Sequence, residues 1–103
     1  MTRVSPATRA WEAERGRLIG IAYRMLGDYG HAEDVVSEVA IEALQRERAE
    51  HSGPDEPAVD ESAPDGSSAT GRVRSWPAWL TTVCVRRSID RVRALAAIRE
   101  DYI

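Results

Sequence analysis

Three segments of this 103-residue chain place apolar residues at helical spacing, and none shows the alternation of a β-strand. Helices are expected at about 7–26, 31–48 and 76–99. A chain of this length has room for one domain and one core. The pattern therefore predicts a compact all-helical fold of three to four helices, with residues 1–103 forming a single domain.

Capping signals support these boundaries. Gly27 and Gly30 favour a helix end and a turn between the first two segments. Asp28 or His31 could cap the second helix, because both lie just before its apolar stripe. Ser75 is a favourable N-cap for the third helix.

Residues 50–71 break the helical pattern. They hold prolines, glycines and serines and almost no large apolar side chain, so burial there cannot offset the entropy lost on ordering. We expect a long acidic mobile loop before the last helix. A loop of this length within a compact domain is either functional or an insertion.

Charge is strongly segregated along the chain, although the formal net charge is only −3. Between residues 47 and 65, seven acids stand against Arg48, which gives −6. Between residues 72 and 99, seven arginines stand against Asp90, which gives +6. This asymmetry is typical of a basic binding face beside an acidic loop.

The spacing of the residues does not indicate a catalytic site or a metal site. His31 and His51 lie far apart, and no His or Cys pair has the spacing of zinc ligands. The acids of the loop do not follow the EF-hand pattern, and those of the second helix lack a partner Glu-x-x-His motif. The single Cys84 excludes an internal disulfide, and no apolar stretch is long enough to cross a bilayer. We predict a cytoplasmic binding domain that is not an enzyme and needs no metal or cofactor.

Two tryptophans precede the basic part of the last helix. Trp76 and Trp79 are large enough to anchor a small core, which is the usual role of tryptophan in such domains. A tryptophan beside a basic helix can also stack on an unpaired base. Both interpretations remain open at this stage.

Three blocks of sequence carry a resemblance to a known family. Residues 21–27 (IAYRMLG), 32–38 (AEDVVSE) and 79–93 (WLTTVCVRRSIDRVR) resemble region 2 of extracytoplasmic-function (ECF) sigma factors of bacterial RNA polymerase. Residues 99–103 (REDYI) resemble the end of that domain in one subgroup. The blocks occur in the family's order and cover all but the N-terminal arm and the loop.

The resemblance implies docking on the clamp helices of the RNA polymerase core. In the family this contact uses the acid-bearing second helix, which here carries Asp34, Glu38 and Glu42 at spacings of four. We call these three residues the acidic ridge and expect them to be exposed. We also expect Asp34 and Glu38 to contribute little to folding. The family commonly has Gln before the Glu, whereas this chain has Ser37.

The resemblance also implies that the last helix and the loop before it hold and open the promoter −10 element, with a base flipped into the loop. Trp76 and Trp79 would then be candidates for stacking. Phosphate contacts are expected from four arginines of the last helix, Arg86, Arg87, Arg91 and Arg93. Two arginines of the preceding segment, Arg72 and Arg74, are further candidates.

Helical geometry divides the four arginines between positions 86 and 93 of the last helix into two pairs. Arg86 and Arg93 are seven residues apart and should align, as should Arg87 and Arg91 at a spacing of four. We expect one pair to meet phosphates and the other to pair with Asp90 or with the acidic ridge.

Two departures from the family pattern leave a second hypothesis. The acidic loop is longer than the family's base-capturing loop and should repel DNA, and the −35-reading region 4 domain is not expected within residues 1–103. The alternative is a degenerate sigma-like module that binds polymerase or an anti-sigma factor without opening DNA.

The composition of residues 50–71 makes a direct prediction. Limited proteolysis of the free protein should cut first within this segment, because exposed polar segments are preferred cleavage sites. Mass spectrometry of the earliest fragments identifies the cut. A first cut within one of the predicted helices would contradict the assignment.

Overall fold

The structure, a computed structural model, describes residues 4–52 and 72–101. Within these ranges it consists of three helices, α1 (Pro6–Leu26), α2 (Tyr29–Ser52) and α3 (Trp76–Asp101). The predicted all-helical fold is confirmed. The predicted loop lies outside the described residues from position 53 onward. None of the three helices is long and apolar enough to cross a membrane.

Each helix begins at a polar side chain that accepts a backbone N–H of the first turn. The pairs are Ser5 Oγ with Thr8 (3.1 Å), Asp28 Oδ1 with His31 (2.9 Å) and Ser75 Oγ with Ala78 (3.3 Å). Asp28 is therefore the cap of α2, and the helix starts before His31. Gly27 ends α1 at a φ of 71°, a left-handed conformation that glycine adopts without strain.

The three helices alternate in direction. α2 runs antiparallel to α1, since Glu47 contacts the backbone of Ala7 at one end of the pair and Glu33 contacts Arg15 towards the other. α3 runs parallel to α1: the first turns of both helices line one cleft, and Met25 and Ile89 line another towards the far end. The start of α1, the end of α2 and the start of α3 therefore lie at one end of the domain.

The core forms where α1 faces both other helices. Its largest fully buried apolar side chains are Leu18, Val35, Val36, Val39, Leu80 and Val83. Trp11 is half-buried and donates from its indole N–H to the carbonyl of Val36 at 3.0 Å, which ties α1 to α2. Packing of α1 against both neighbours makes it the central element of the domain.

The apolar stripe of α3 is not buried along its whole length. Ile89 and Val92 are exposed, although they continue the apolar spacing of the buried residues before them. α1 ends at Leu26 beside these residues, whereas α3 continues to Asp101. The apolar pattern of α3 therefore continues beyond the end of the neighbouring helix that could cover it.

The end of α2 also differs from its prediction. The helix continues to Ser52 rather than to about residue 48, so Glu50 is helical and does not belong to the loop. The Glu50 carboxylate accepts the backbone N–H of Val73 at 2.6 Å, and Glu47 accepts that of Ala7 at 3.1 Å. Both acids hold neighbouring segments against the last turns of α2, a role that local composition does not indicate.

The position of the core predicts the cost of truncating it. Leu80→Ala should lower the free energy of unfolding by about 2–5 kcal/mol, because Leu80 is fully buried and the substitution leaves a cavity. The same substitution at Leu44, which is 46% exposed, should cost less than about 1 kcal/mol. Urea unfolding measures both, and equal losses would contradict the assignment of the core.

Candidate functional site

A row of ion pairs joins α2 to α3 on the surface of the domain. Glu38 lies between two arginines: one carboxylate oxygen accepts from Arg91 at 2.7 Å and the other from Arg87 at 3.3 Å. Arg87 also donates to Glu42 at 2.8 Å, and Arg91 lies 3.9 Å from Asp34. We call these five residues the charge ladder.

The charge ladder is partly shielded from water. The side chains of Arg91 and Glu42 are only 23% and 28% exposed, so their ion pairs are screened less than pairs at a free surface. Three carboxylates against two guanidinium groups leave the ladder with a net charge of −1. Arg87 and Arg91 are therefore largely neutralised in the free chain.

The structure separates the four arginines at positions 86, 87, 91 and 93 of α3 as helical geometry predicts. Arg87 and Arg91 pair with the acidic ridge. Arg86 and Arg93 are exposed and make no ion pair within residues 4–52 and 72–101. Asp90 is also exposed and takes no part in an ion pair with the described residues, so the acidic ridge is the partner.

The acidic ridge is less uniform than its spacing suggests. Asp34 is 68% exposed at its side chain, and its one ion pair with a described residue is the 3.9 Å contact with Arg91. Glu38 and Glu42 are engaged by arginines at 2.7 Å each. Glu38 and Glu42 therefore take part in ion pairs within the domain, and the small contribution to folding expected of Glu38 stays a prediction.

A cleft of about 1220 Å³ lies where the start of α1, the end of α2 and the start of α3 meet. Among its described lining residues are three arginines, Arg9, Arg48 and Arg74, and one acid, Glu47. The Glu47 carboxylate is bound to the N–H of Ala7. Arg9 and Arg48 lie outside the basic stretch of the sequence, and no local pattern could have placed them beside Arg74.

The two tryptophans take different positions. Trp79 is 3% exposed and belongs to the core, so its proposed contact with DNA does not fit the structure. Trp76 is half-buried, packs edge-on against Trp79 with ring centroids 5.3 Å apart, and lines the cleft. Of the arginines before α3, Arg74 lines the same cleft and Arg72 is exposed.

Cys84 lies in the core, away from these charged groups. Its Sγ donates to the carbonyl of Leu18 at 3.5 Å, and burial raises the pKa of the thiol. A buried thiol that stays protonated is a poor nucleophile. Among the residues that the structure describes, no group of three or more His, Cys, Asp or Glu could hold a metal ion.

Comparison with known proteins bears on the same elements. Residues 10–56 match the family model described as sigma-70 region 2. Probable ECF RNA polymerase sigma factor SigI of Mycobacterium tuberculosis, in strains CDC 1551 / Oshkosh and ATCC 25618 / H37Rv, is 30% identical over 100 residues. This alignment covers 97% of this chain and 27% of the relative.

A second relative gives a similar picture. ECF RNA polymerase sigma factor SigJ of Mycobacterium tuberculosis strain ATCC 25618 / H37Rv is 33% identical over 92 residues, which cover 89% of this chain and 22% of that protein. The chain thus spans about a quarter of the length of the curated relatives it matches. No solved structure gives a significant match.

The charge ladder predicts that two arginine substitutions in α3 differ in their effect on the free energy of unfolding. Arg91→Ala should lower the free energy of unfolding by about 1–2 kcal/mol at low salt, because it leaves the half-buried Glu38 short of a charged partner. Arg93→Ala removes an exposed guanidinium and should change it by less than about 0.5 kcal/mol. Urea unfolding at two salt concentrations measures the difference, which should narrow at high salt. Equal effects of the two substitutions would show that the ladder does not stabilise the fold.

Proposed function

The chain carries a sigma-70 region 2 domain, and on this premise we propose that it acts, without catalysing a reaction, in transcription initiation. It docks on the clamp helices of the RNA polymerase core through α2 and binds the promoter −10 element through α3 and the segment before it. This role places it in the cytoplasm. The observation that carries the proposal is the division of charge across the ladder, which leaves Asp34 exposed on α2 and Arg86 and Arg93 exposed on α3.

Exposure of Asp34 supports docking through α2. It is the most exposed acid of the ladder and lies on the helix that falls wholly within the matched family region. An exposed carboxylate can attract basic side chains of a partner from a distance and orient them on contact. Glu38 and Glu42 already form ion pairs with arginines of α3. They can therefore contribute to docking only if their carboxylates bind the partner and these arginines at the same time.

Exposure of Arg86 and Arg93 supports phosphate binding through α3. Both guanidinium groups are unoccupied by acids of the described residues, and their planar donors suit phosphate oxygens. Arg87 and Arg91 would first have to leave Glu38. The phosphate contacts proposed here therefore fall on the exposed pair.

The cleft at the end of the domain supports contact with an unpaired strand. Arg9, Arg48 and Arg74 give it a positive lining, and Trp76 offers an aromatic surface beside them. A positive groove with an aromatic side chain is the arrangement that binds single-stranded nucleic acid with little preference for sequence. We assign base stacking to Trp76 alone, because Trp79 is buried.

The acids of the chain favour a second candidate function. Residues 53–65 add five carboxylates and no basic residue directly before the segment that holds Arg72 and Arg74. The ladder also neutralises half of the arginines of α3 that the family resemblance assigns to DNA. A sigma-like module that binds polymerase or an anti-sigma factor without opening DNA is consistent with both features. The two functions differ in whether the chain binds single-stranded DNA at low salt.

The DNA contact makes a prediction on salt dependence. Arg86→Ala and Arg93→Ala should each weaken binding of a single-stranded oligonucleotide about equally for all sequences. Each should also reduce the slope of log affinity against log salt by about 0.7, the value for one lost phosphate contact. Fluorescence anisotropy between about 50 and about 200 mM salt measures both quantities. Arg24→Ala, which removes an exposed arginine from α1, is the matched control and should leave the slope unchanged.

Two outcomes would contradict this assignment. If Arg24→Ala lowers the slope as much as Arg93→Ala, the binding reflects total charge and not a face of α3. If the unchanged chain binds no oligonucleotide at low salt, the interaction module becomes the better description.

Polymerase docking makes a prediction on affinity. Asp34→Lys should weaken binding to a recombinant clamp-helix fragment of RNA polymerase by about tenfold or more, because it sets a cation against a basic partner. Asp90→Lys makes the same charge reversal at an exposed position of α3 and should have less than about a twofold effect. Isothermal titration calorimetry measures the affinities, and circular dichroism checks that both variants remain folded. Equal loss in the two variants would contradict docking through α2.

A further inference from the structure

The cleft at the end of the domain gathers positive charge around one space. Arg9, Arg48 and Arg74 reach it from α1, α2 and the segment before α3, and all three are exposed. None of them takes part in an ion pair with another residue of 4–52 or 72–101. Against Glu47, they leave the described lining of the cleft with a net charge of +2. The cleft therefore attracts an anion.

The helix ends at this cleft leave the binding of an anion to the arginines. The first turns of α1 and α3 line the cleft, and free N–H groups at a helix start can bind a phosphate. Here the N–H groups of Ala7, Thr8 and Ala78 already donate to side-chain oxygens of the domain. The guanidinium groups are therefore the available donors.

The cleft also has an apolar wall that a simple anion would leave uncovered. Trp76 is half-buried, and Val4 and Leu44 are 43% and 46% exposed at the same cleft. Covering such side chains is favourable only for a ligand that brings apolar or aromatic surface of its own. The lining therefore fits a ligand that joins an aromatic group to a strongly charged one.

The arrangement of the arginines distinguishes a compact ligand from an extended strand. Arg86 and Arg93 follow each other along α3, about 10.5 Å apart at 1.5 Å per residue, which suits phosphates spaced along a backbone. The arginines of the cleft instead surround one space. A phosphodiester carries a single negative charge, whereas a terminal phosphate group carries about −1.5 to −2. Three guanidinium groups in one cleft match the more concentrated charge.

We propose that this cleft binds a free nucleotide that carries two or more phosphate groups. The base lies against Trp76, and the phosphates bind Arg9, Arg48 and Arg74. A space of about 1220 Å³ is large enough for such a ligand. This inference goes beyond the proposed function and shares with it only the cleft: a bound nucleotide and an unpaired strand at Trp76 exclude each other. The nucleotide would therefore weaken the contact of the cleft with DNA and leave α3 free.

The first test compares ligands by isothermal titration calorimetry with the whole chain. ADP is the probe, in a buffer without magnesium, which would neutralise its phosphates. Adenosine lacks the phosphates and pyrophosphate lacks the base, so each should bind at least about tenfold more weakly than ADP. The dinucleotide ApA carries two bases and one phosphodiester, and it represents a strand. It should also bind about tenfold more weakly than ADP.

Protein variants then locate the bound nucleotide. Arg48→Ala should weaken ADP binding by about tenfold or more, because it removes a charged donor from the phosphates. Arg24→Ala removes an exposed arginine of α1 that does not line the cleft and should have less than about a twofold effect. Trp76→Leu should weaken ADP by about tenfold and leave pyrophosphate binding unchanged. The unchanged pyrophosphate affinity also reports that the cleft of this variant remains folded.

Several results would overturn the proposal. Absence of ADP binding, or equal loss in Arg48→Ala and Arg24→Ala, would each do so. Equal binding of ADP and ApA would make the cleft a site for a strand and not for a free nucleotide. Arg86→Ala combined with Arg93→Ala should weaken the oligonucleotide and leave ADP unchanged, and an equal loss of ADP would place the nucleotide elsewhere. Because oligonucleotide and ADP are measured separately, failure of this proposal is distinguishable from failure of DNA binding.

Discussion

Glu38 is the residue on which the outer surface of this domain depends. Its two carboxylate oxygens accept from two arginines of the neighbouring helix, at 2.7 and 3.3 Å. α1 packs closely on both other helices, whereas α2 and α3 meet across this row of charges at the surface. Removing charges from water has a cost, which the double contact of Glu38 offsets through charged hydrogen bonds on both sides.

Together with this contact, helical periodicity separates the arginines of α3 into a paired set and an exposed set. Four arginines within eight residues cannot share a face, so pairing of Arg87 and Arg91 with the acidic ridge leaves Arg86 and Arg93 turned outward. The same rule leaves Asp34 as the exposed end of the acidic ridge. Surface charge available to a partner is therefore smaller than the count of charged residues suggests, and it lies at defined positions.

Local patterns predicted the three helices because caps and apolar spacing are properties of neighbouring residues. Ser75 and Asp28 fix helix starts in this way. The pairing of Arg87 and Arg91 with the acidic ridge was foreseen only as one of two outcomes, since spacing gives the face of a residue but not what lies opposite. Two features depend on how distant segments meet, and nothing local indicates them. One is the position of Arg9 and Arg48 in the cleft, and the other is the hydrogen bond from the Val73 N–H to Glu50.

The central claim is that Arg87 and Arg91 are held by acids of α2, whereas Arg86 and Arg93 are exposed and take no part in ion pairs among the described residues. Nuclear magnetic resonance of the arginine side-chain Nε–H groups tests it directly. The account predicts that the Arg87 Nε–H, which donates to Glu42 at 2.8 Å, exchanges slowly with water, and that added single-stranded DNA shifts the Arg86 and Arg93 signals first. Rapid exchange at Arg87, or a first response to DNA at Arg87 and Arg91, would contradict the account.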